Sequence, residues 1–432
     1  GGGRYLLRVC DRIVRAQRER GDDAQAWWPR AGRIPRYIGM KKELHFERTE
    51  FAARLAAVKE EMAKRGIDIL LLSEPPNQNY LTGYNAYSFY TPQMVIVALH
   101  HDEPIWIGRF MDRVSAVRTT YLADDNIRAY KDEYVHSTAG LSAYDAMANV
   151  VKEVGGEKAR IGVEMGGYYY SARAHADLVR ALSLADFVDA DLLVNWIRIV
   201  KSPAELFLMR QAGRIADAAI QRAVDTTEPG VRECDLAAAV YHQQVSGTPA
   251  FGGSYDCSQL MLGVGERALE PHPAWTDEPL PASTTVYIEV HGNRLRYQVN
   301  LGRTISVGQP SPAYKKLSDI AIEALNAGLE SVRPGRRCWE VDGFFRQTLA
   351  RYGLEKESRL GYSIGIGYPP AVGERTASLR KGDETVLQSG MCFHMMPGLW
   401  MDDVSIAITQ SFAVTESGHE ALCSTPRTLF VK

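Results

Sequence analysis

Glu289 is the residue whose setting most needs a chemical reason. It interrupts the apolar run Val286-Tyr287-Ile288-Glu289-Val290, and a carboxylate buried in such a strand is costly unless something compensates it. There it either attacks an electrophilic carbon or orients the attacking water, its basicity tuned by partial desolvation; the alternative is an ion pair with Arg294, Arg296 or Arg303. His394, in Phe393-His394-Met395, offers an imidazole that titrates near neutrality. It faces the same cavity or bonds to backbone in the core. Glu374, in Gly373-Glu374-Arg375-Thr376, has the charge to hold the cationic edge of a substrate, or to pair with Arg375 or Arg380. Tyr84, Tyr87, Phe89 and Tyr90 are close enough in sequence to cage a compact cation, with Tyr87 and Tyr90 as the substrate contacts, or to pack a core. Tyr297, Tyr362 and Trp400 are further candidates for a pocket wall, again against ordinary packing.

These residues need rigid elements to position them. From Phe46 the chain alternates helical and strand-like segments. Apolar positions at helical spacing predict a helix over 50–59 ended by Gly66, and a buried strand over 67–72 closed by Pro75-Pro76. Segments 94–99 and 104–107 predict a hairpin pair, and 160–163 and 187–189 further strands. Strands alternating with helices imply an α/β domain over residues 40–198. Ser202 as N-cap, Pro203 at the first helical position and Glu205 three residues past the cap predict a helix start, and a second domain over 199–432. Its helices, at 203–226 and 233–244, recur at 311–332 and 339–352, because Arg333-Pro334-Gly335 echoes Glu228-Pro229-Gly230. Strands at 285–290 and 303–307 are matched by strands at 391–396 and 406–414. This order describes two similar halves joined head to tail, an arrangement that favours a ligand site between them.

The bulk properties narrow the function. The 432 residues suffice for several domains, and 45% apolar with 24% charged residues is an ordinary globular composition. A net charge of −2 provides no polycation for nucleic acid. The six cysteines contain no C-x-x-C pair and read as reduced thiols of a cytoplasmic protein rather than a zinc site or disulfide framework. No apolar run approaches the ~18 residues of a membrane helix, so no membrane association is expected. Residues 1–39 are Arg-rich but carry Asp11, Glu19, Asp22 and Asp23 and no Ser, unlike a transit peptide. They are expected to be a non-core extension preceding a natural start at Met40.

The order of the landmarks Val200-Lys201-Ser202-Pro203-Ala204-Glu205, Pro229-Gly230, Gly302-Arg303-Thr304, Val307-Gly308, Gly390-Met391 and Val414-Thr415-Glu416-Ser417-Gly418 resembles the creatinase, aminopeptidase P and methionine aminopeptidase superfamily. The resemblance covers residues 44–432. It implies an α/β (α+β) protein, with a creatinase-like N-terminal α/β domain followed by a pseudo-two-fold "pita-bread" catalytic domain. Metallopeptidases of this superfamily hold two metal ions through two Asp, one His and two Glu. The resemblance places Glu289 and Asn300 at the Asp positions, Tyr362 in the Gly-His segment, Met396 at the first Glu, and Thr409 or Gln410 at the last. One carboxylate of four implies no metal and no other cofactor. The alternative is a different ligand set using His394 or Asp403.

Among metal-independent branches the chain is most similar to ectoine hydrolases and their creatinase relatives. This rests on Tyr80-Leu81-Thr82-Gly83-Tyr84, Gly162-Val163-Glu164-Met165 with Tyr168-Tyr169-Tyr170, Gly361-Tyr362-Ser363-Ile364-Gly365 with Tyr368-Pro369-Pro370, and Gly398-Leu399-Trp400-Met401. This chain departs from the subgroup's pattern at Ala407, Gln410 and Gln298-Val299-Asn300, which leaves ectoine itself open as the substrate. The resemblance also places a proton-shuttling histidine at His272, which otherwise reads as a loop residue. It implies a hydrolase opening a C–N bond of a small nitrogen-rich metabolite, with Glu289, His272 and His394 as catalytic residues, in a homodimer. An Xaa-Pro dipeptidase and a non-catalytic peptide-binding protein are the alternatives. Retention of Glu289, His272, His394 and Glu374 favours chemistry.

Overall fold

The computed structural model describes residues 40–135, 140 and 142–432. The Arg-rich segment 1–39 lies outside the described residues. The first sheet contains β1 (Ile69–Leu72), β2 (Met94–Ala98), β3 (Ile105–Arg109), β4 (Ile127–Tyr130), β5 (Arg160–Val163) and β6 (Asp186–Asp189). Their spatial order is β4-β3-β2-β1-β5-β6. β1 pairs antiparallel with β2 and parallel with β5, so both of its edges are covered and its four residues are all buried. The helix Ala143–Glu153 supplies Met147, Ala148 and Val151 to the core beneath this sheet.

Pro75 and Pro76 do not merely close β1. They open the helix Pro75–Thr82, since proline's missing N–H is unneeded in a first helical turn. Glu164 completes that end, its carboxylate accepting from the Ser73 and Glu74 amides and the Asn77 side chain.

The second sheet contains β7 (Met261–Val264), β8 (Thr284–Arg294), β9 (Tyr297–Val307), β10 (Gly361–Tyr368), β11 (Ala371–Leu379) and β12 (Cys392–Met395). After the two-residue strands β13 (Leu399–Trp400) and β14 (Ser405–Ile406) come β15 (Gln410–Val414), β16 (His419–Ala421) and β17 (Phe430–Val431). The order β16-β15-β12-β10-β9-β8-β7 joins two halves where Ile366 of β10 meets Tyr297 of β9. Helices Pro203–Thr226 and Glu233–Ser246 accompany the first half, and Pro312–Ser331 and Cys338–Ala350 the second. The capping box forms as the sequence predicts: Ser202 Oγ accepts from the Glu205 amide at 3.2 Å while Glu205 Oε2 accepts from the Ser202 amide at 2.9 Å.

The strand expected over 406–414 is interrupted. Ala407 N–H donates to Thr304 Oγ1 and Thr409 N–H to the Gly302 carbonyl, so this stretch bonds to β9 before resuming as β15. Among the described residues, no helix is long and apolar enough to cross a membrane.

Candidate active site

Side chains alternate along a strand, so Tyr287, Glu289, His291 and Asn293 share one face of β8. The other face abuts the helix Pro203–Thr226. A Cβ on Gly292 would sit 1.9 Å from the Ala212 carbonyl oxygen, so glycine is what lets helix and strand backbones close. Glu289 is 2% exposed. Its Oε2 accepts from the Tyr287 hydroxyl at 3.0 Å and its Oε1 from the Asn300 amide at 3.3 Å.

The arginines offered by sequence as partners are engaged elsewhere. Arg294 donates to Gln211 and the Gly252 carbonyl, Arg296 to Asn85, and Arg303 to the carbonyls of Gly302, Thr409, Thr425 and Pro426. Glu289 instead lines a cavity of about 700 Å³ together with His272, Arg359, Tyr362, Arg375 and Trp400. A second cavity of about 450 Å³, beside Ser283 and Tyr314, has Asp403 as its one acidic lining residue and no histidine. The titratable chemistry gathers in the first.

His272 is an exposed residue at the rim of the larger cavity. Trp400 packs edge-on against Tyr287, with ring centroids 6.2 Å apart, and Tyr362 lies on β10 across from Glu289. Burial, followed by the charge of Glu289, pushes the Tyr362 phenol well above its ordinary pKa, so it stays protonated. His394 does not face the cavity directly, contrary to expectation. It is fully buried, with Nδ1 3.1 Å from the Tyr362 hydroxyl and Nε2 2.8 Å from Thr409 Oγ1. Burial pulls its pKa down to about 4, only partly offset by Glu289. It is a neutral group that reaches the cavity through Tyr362.

Four substrate-contact expectations are corrected. Glu374 is 1% exposed and bonded to Arg198 at 2.8 Å and Lys201 at 2.6 Å; these buried cations, rather than Arg375 or Arg380, are its partners. Gly365 makes room, since a Cβ there would sit 2.2 Å from the Glu374 carboxylate. Tyr297 is buried away from the cavity, donating to Glu205 at 2.7 Å, with Arg54 beside the pair. Tyr87 and Tyr90 are 63% and 66% exposed. Tyr87 packs on Phe89 and Tyr255, and Tyr90 accepts from Arg109, so they form no closed cage.

Sequence reasoning passed over His291 and Asp256, although the period-two array Tyr287, Glu289, His291, Asn293 was a readable signal. His291 is buried, with Nδ1 3.0 Å from Asp256 Oδ2 and Nε2 3.8 Å from Glu289 Oε1. It also missed Arg359 and Arg375. Arg359 donates to Ser378 and lies 4.5 Å from the Tyr362 ring centroid, with no carboxylate partner among the described residues. Arg375, in the left-handed region at φ +61, pairs with Asp191 at 2.7 Å and donates to the Gly166 carbonyl at 2.7 Å.

The donor set does not fit a pair of divalent cations. Asn300 turns its amide N–H to Glu289, and both His394 nitrogens are engaged. Thr409 Oγ1 accepts from the Gly302 amide, Gln410 donates to the carbonyls of Ser411 and Cys423, and Met396 offers a thioether. Hard divalent ions need anionic oxygen or free imidazole. Among the described residues, no three His, Cys, Asp or Glu side chains converge as ligands. The substitute ligands also fail, since Asp403 belongs to the second cavity.

Residues 54–200 match the creatinase/prolidase N-terminal domain and residues 208–416 match metallopeptidase family M24. The chain is 48% identical to an uncharacterized hydrolase/peptidase of Sinorhizobium fredii and 40% identical to the ectoine hydrolase of Halomonas elongata, in each case over 90% of this chain and 99% of the relative. Its fold is that of the Pyrococcus horikoshii dipeptidase, with a TM-score of 0.74 at 20% identity over 88% of this chain and all of that one. The Thermococcus sibiricus prolidase gives 0.77 at 18% identity, covering 88% and 99%. The chain therefore belongs to the creatinase/aminopeptidase P superfamily. It is a hydrolase acting on C–N bonds.

Proposed function

We propose that this hydrolase is metal-independent and opens a C–N bond other than an ordinary peptide bond in a small nitrogen-rich solute: an ectoine, a cyclic amidine, a guanidino acid or a cyclic amide. The observation that carries this reading is Glu289. It is a buried carboxylate opening on a cavity rimmed by His272, in a frame whose metal-ligand positions hold Asn, Tyr, Met and Thr. The 40% identity to an ectoine hydrolase supports the substrate class.

Glu289 supplies the nucleophile or positions the water, and His272 brings the proton to the departing nitrogen. That nitrogen must be protonated because an amide anion is a very poor leaving group. Tyr287 and Asn300 fix the carboxylate, and His394 fixes Tyr362. With Glu374 committed to Arg198 and Lys201 and Arg375 to Asp191, the guanidinium in the wall without a carboxylate partner among the described residues is that of Arg359. It suits a substrate that also bears a carboxylate.

The test is a panel of such solutes assayed by mass spectrometry with and without EDTA. The expected result is turnover of at least one compound at a rate EDTA does not change. Activity abolished by chelation and restored by Mn or Zn would return the chain to the peptidases. No turnover of any compound in the panel would remove this substrate class.

A further inference from the structure

His291 is 1% exposed and its Nε2, directed toward Glu289, has no hydrogen-bond partner. Its Nδ1 is held by an anchored carboxylate. Asp256 Oδ1 accepts from the Cys257 and Ser258 amides, and Oδ2 accepts from Gln244. Gln244 in turn donates to the His291 carbonyl at 2.8 Å, tying both members of the pair to one side chain. A carboxylate so fixed accepts the Nδ1–H hydrogen bond and leaves Nε2 facing Glu289. The Nε2 to Oε1 separation of 3.8 Å is too long for a hydrogen bond, but a shift of about 1 Å closes it, and such contacts commonly tighten only with substrate bound.

We propose that Asp256 and His291 form a positioning pair for Glu289 at the cavity, His291 being the imidazolium counter-ion of its carboxylate. The use made of Glu289 rests on the function proposed above; the coupling itself does not. Burial alone lowers the imidazole pKa, but the charge and hydrogen bond of Asp256, together with Glu289, hold it above its ordinary value.

The surrounding groups provide no equivalent cation. Burial keeps Tyr287 on the same strand, Cys257 beside Asp256 and Tyr362 on β10 in their protonated, neutral forms. His394 on β12 is neutral above about pH 4. Arg303 is spent on four carbonyls, and Arg359 lies over the Tyr362 ring. His291 is the one cationic group within 4 Å of Glu289 among the described residues.

The test is an NMR titration of the full chain carrying ¹³C-labelled histidine, with the signal assigned by its loss in His291→Gln. The His291 midpoint should lie above ~6.5 and fall by about one unit or more, a tenfold loss of proton affinity, in both Glu289→Gln and Asp256→Asn. In His291→Gln the acidic limb of turnover should move to higher pH, whereas a merely structural role would lower kcat equally at every pH.

A His291 midpoint at or below ~6.5, or one unmoved by Glu289→Gln, overturns the proposal. If His291→Gln does not fold, His291→Asn assigns the signal and the other two variants decide. Full turnover in Glu289→Gln alongside intact coupling would remove the proposed function and leave the charge pair standing.

Discussion

Strands β8 and β12 each bury one histidine completely, and the two have opposite electrical states. His291 is held above its ordinary pKa because Asp256 and Glu289 outweigh the cost of burial. His394 is driven down to about 4 by burial, which Glu289 offsets only in part, its bonding partners being the neutral hydroxyls of Tyr362 and Thr409. Burial is common to both, so the carboxylate partner sets the sign. Of the two histidines, the one in the first half stands beside Glu289 with a carboxylate behind it, and the one in the second half stays neutral behind Tyr362.

The largest way to break this contrast is at Glu289. Glu289→Gln and His272→Ala are each expected to lower kcat by about 100- to 10,000-fold with the circular dichroism spectrum unchanged. Near-full kcat in either variant would remove that residue from the reaction.

Glu374 sharpens the contrast from the structural side. Glu374→Ala leaves Arg198 and Lys201 buried without their anion, which should cost about 3–5 kcal/mol in urea unfolding. Unchanged stability with a raised KM would instead make Glu374 a substrate contact.

His394 gives a pH-dependent case. Its folded pKa is depressed, so its contribution to stability is complete above the unfolded value of ~6.5 and is lost as pH falls toward about 4. Wild type should lose up to roughly 3 kcal/mol through this group over that range, and His394→Gln should show a flatter dependence. Equal slopes would mean that His394 carries a proton in the native state.

The smallest expected effect is Tyr362→Phe. Removing a hydroxyl shared by His394 and Asn300 should cost about 1 kcal/mol, together with a modest fall in kcat.

Much of the fold was readable in local chemistry. Ser202, Pro203 and Glu205 announced the long helix because a capping box is a local arrangement, and the repeated Pro-Gly turns exposed the duplication. Glu289 was legible for a related reason, as one charge in an apolar strand stands out against its neighbours. Glu374 and Tyr297 were not, because their partners, Arg198 with Lys201 and Glu205, lie 92 or more residues away in the chain. His291 was hidden by attention to single residues, when the signal was the alternation of four polar positions along β8. Pro75-Pro76 read as an end because proline stops strands. Whether it also starts a helix depended on Glu164, which arrives from β5's end of the first sheet.

The Arg375 clasp has a consequence for how new specificities arise. By gripping Asp191 and the Gly166 carbonyl, it seats Tyr168 in the cavity wall, 5.3 Å from its own guanidinium. Part of the wall is thus encoded in a short stretch before the second domain, remote in sequence from the β8–β9 hairpin that bears Glu289 and His291. Substitutions at Tyr168 or in its clasp reach the wall from outside the hairpin that holds the reacting groups, so they should move KM more than kcat.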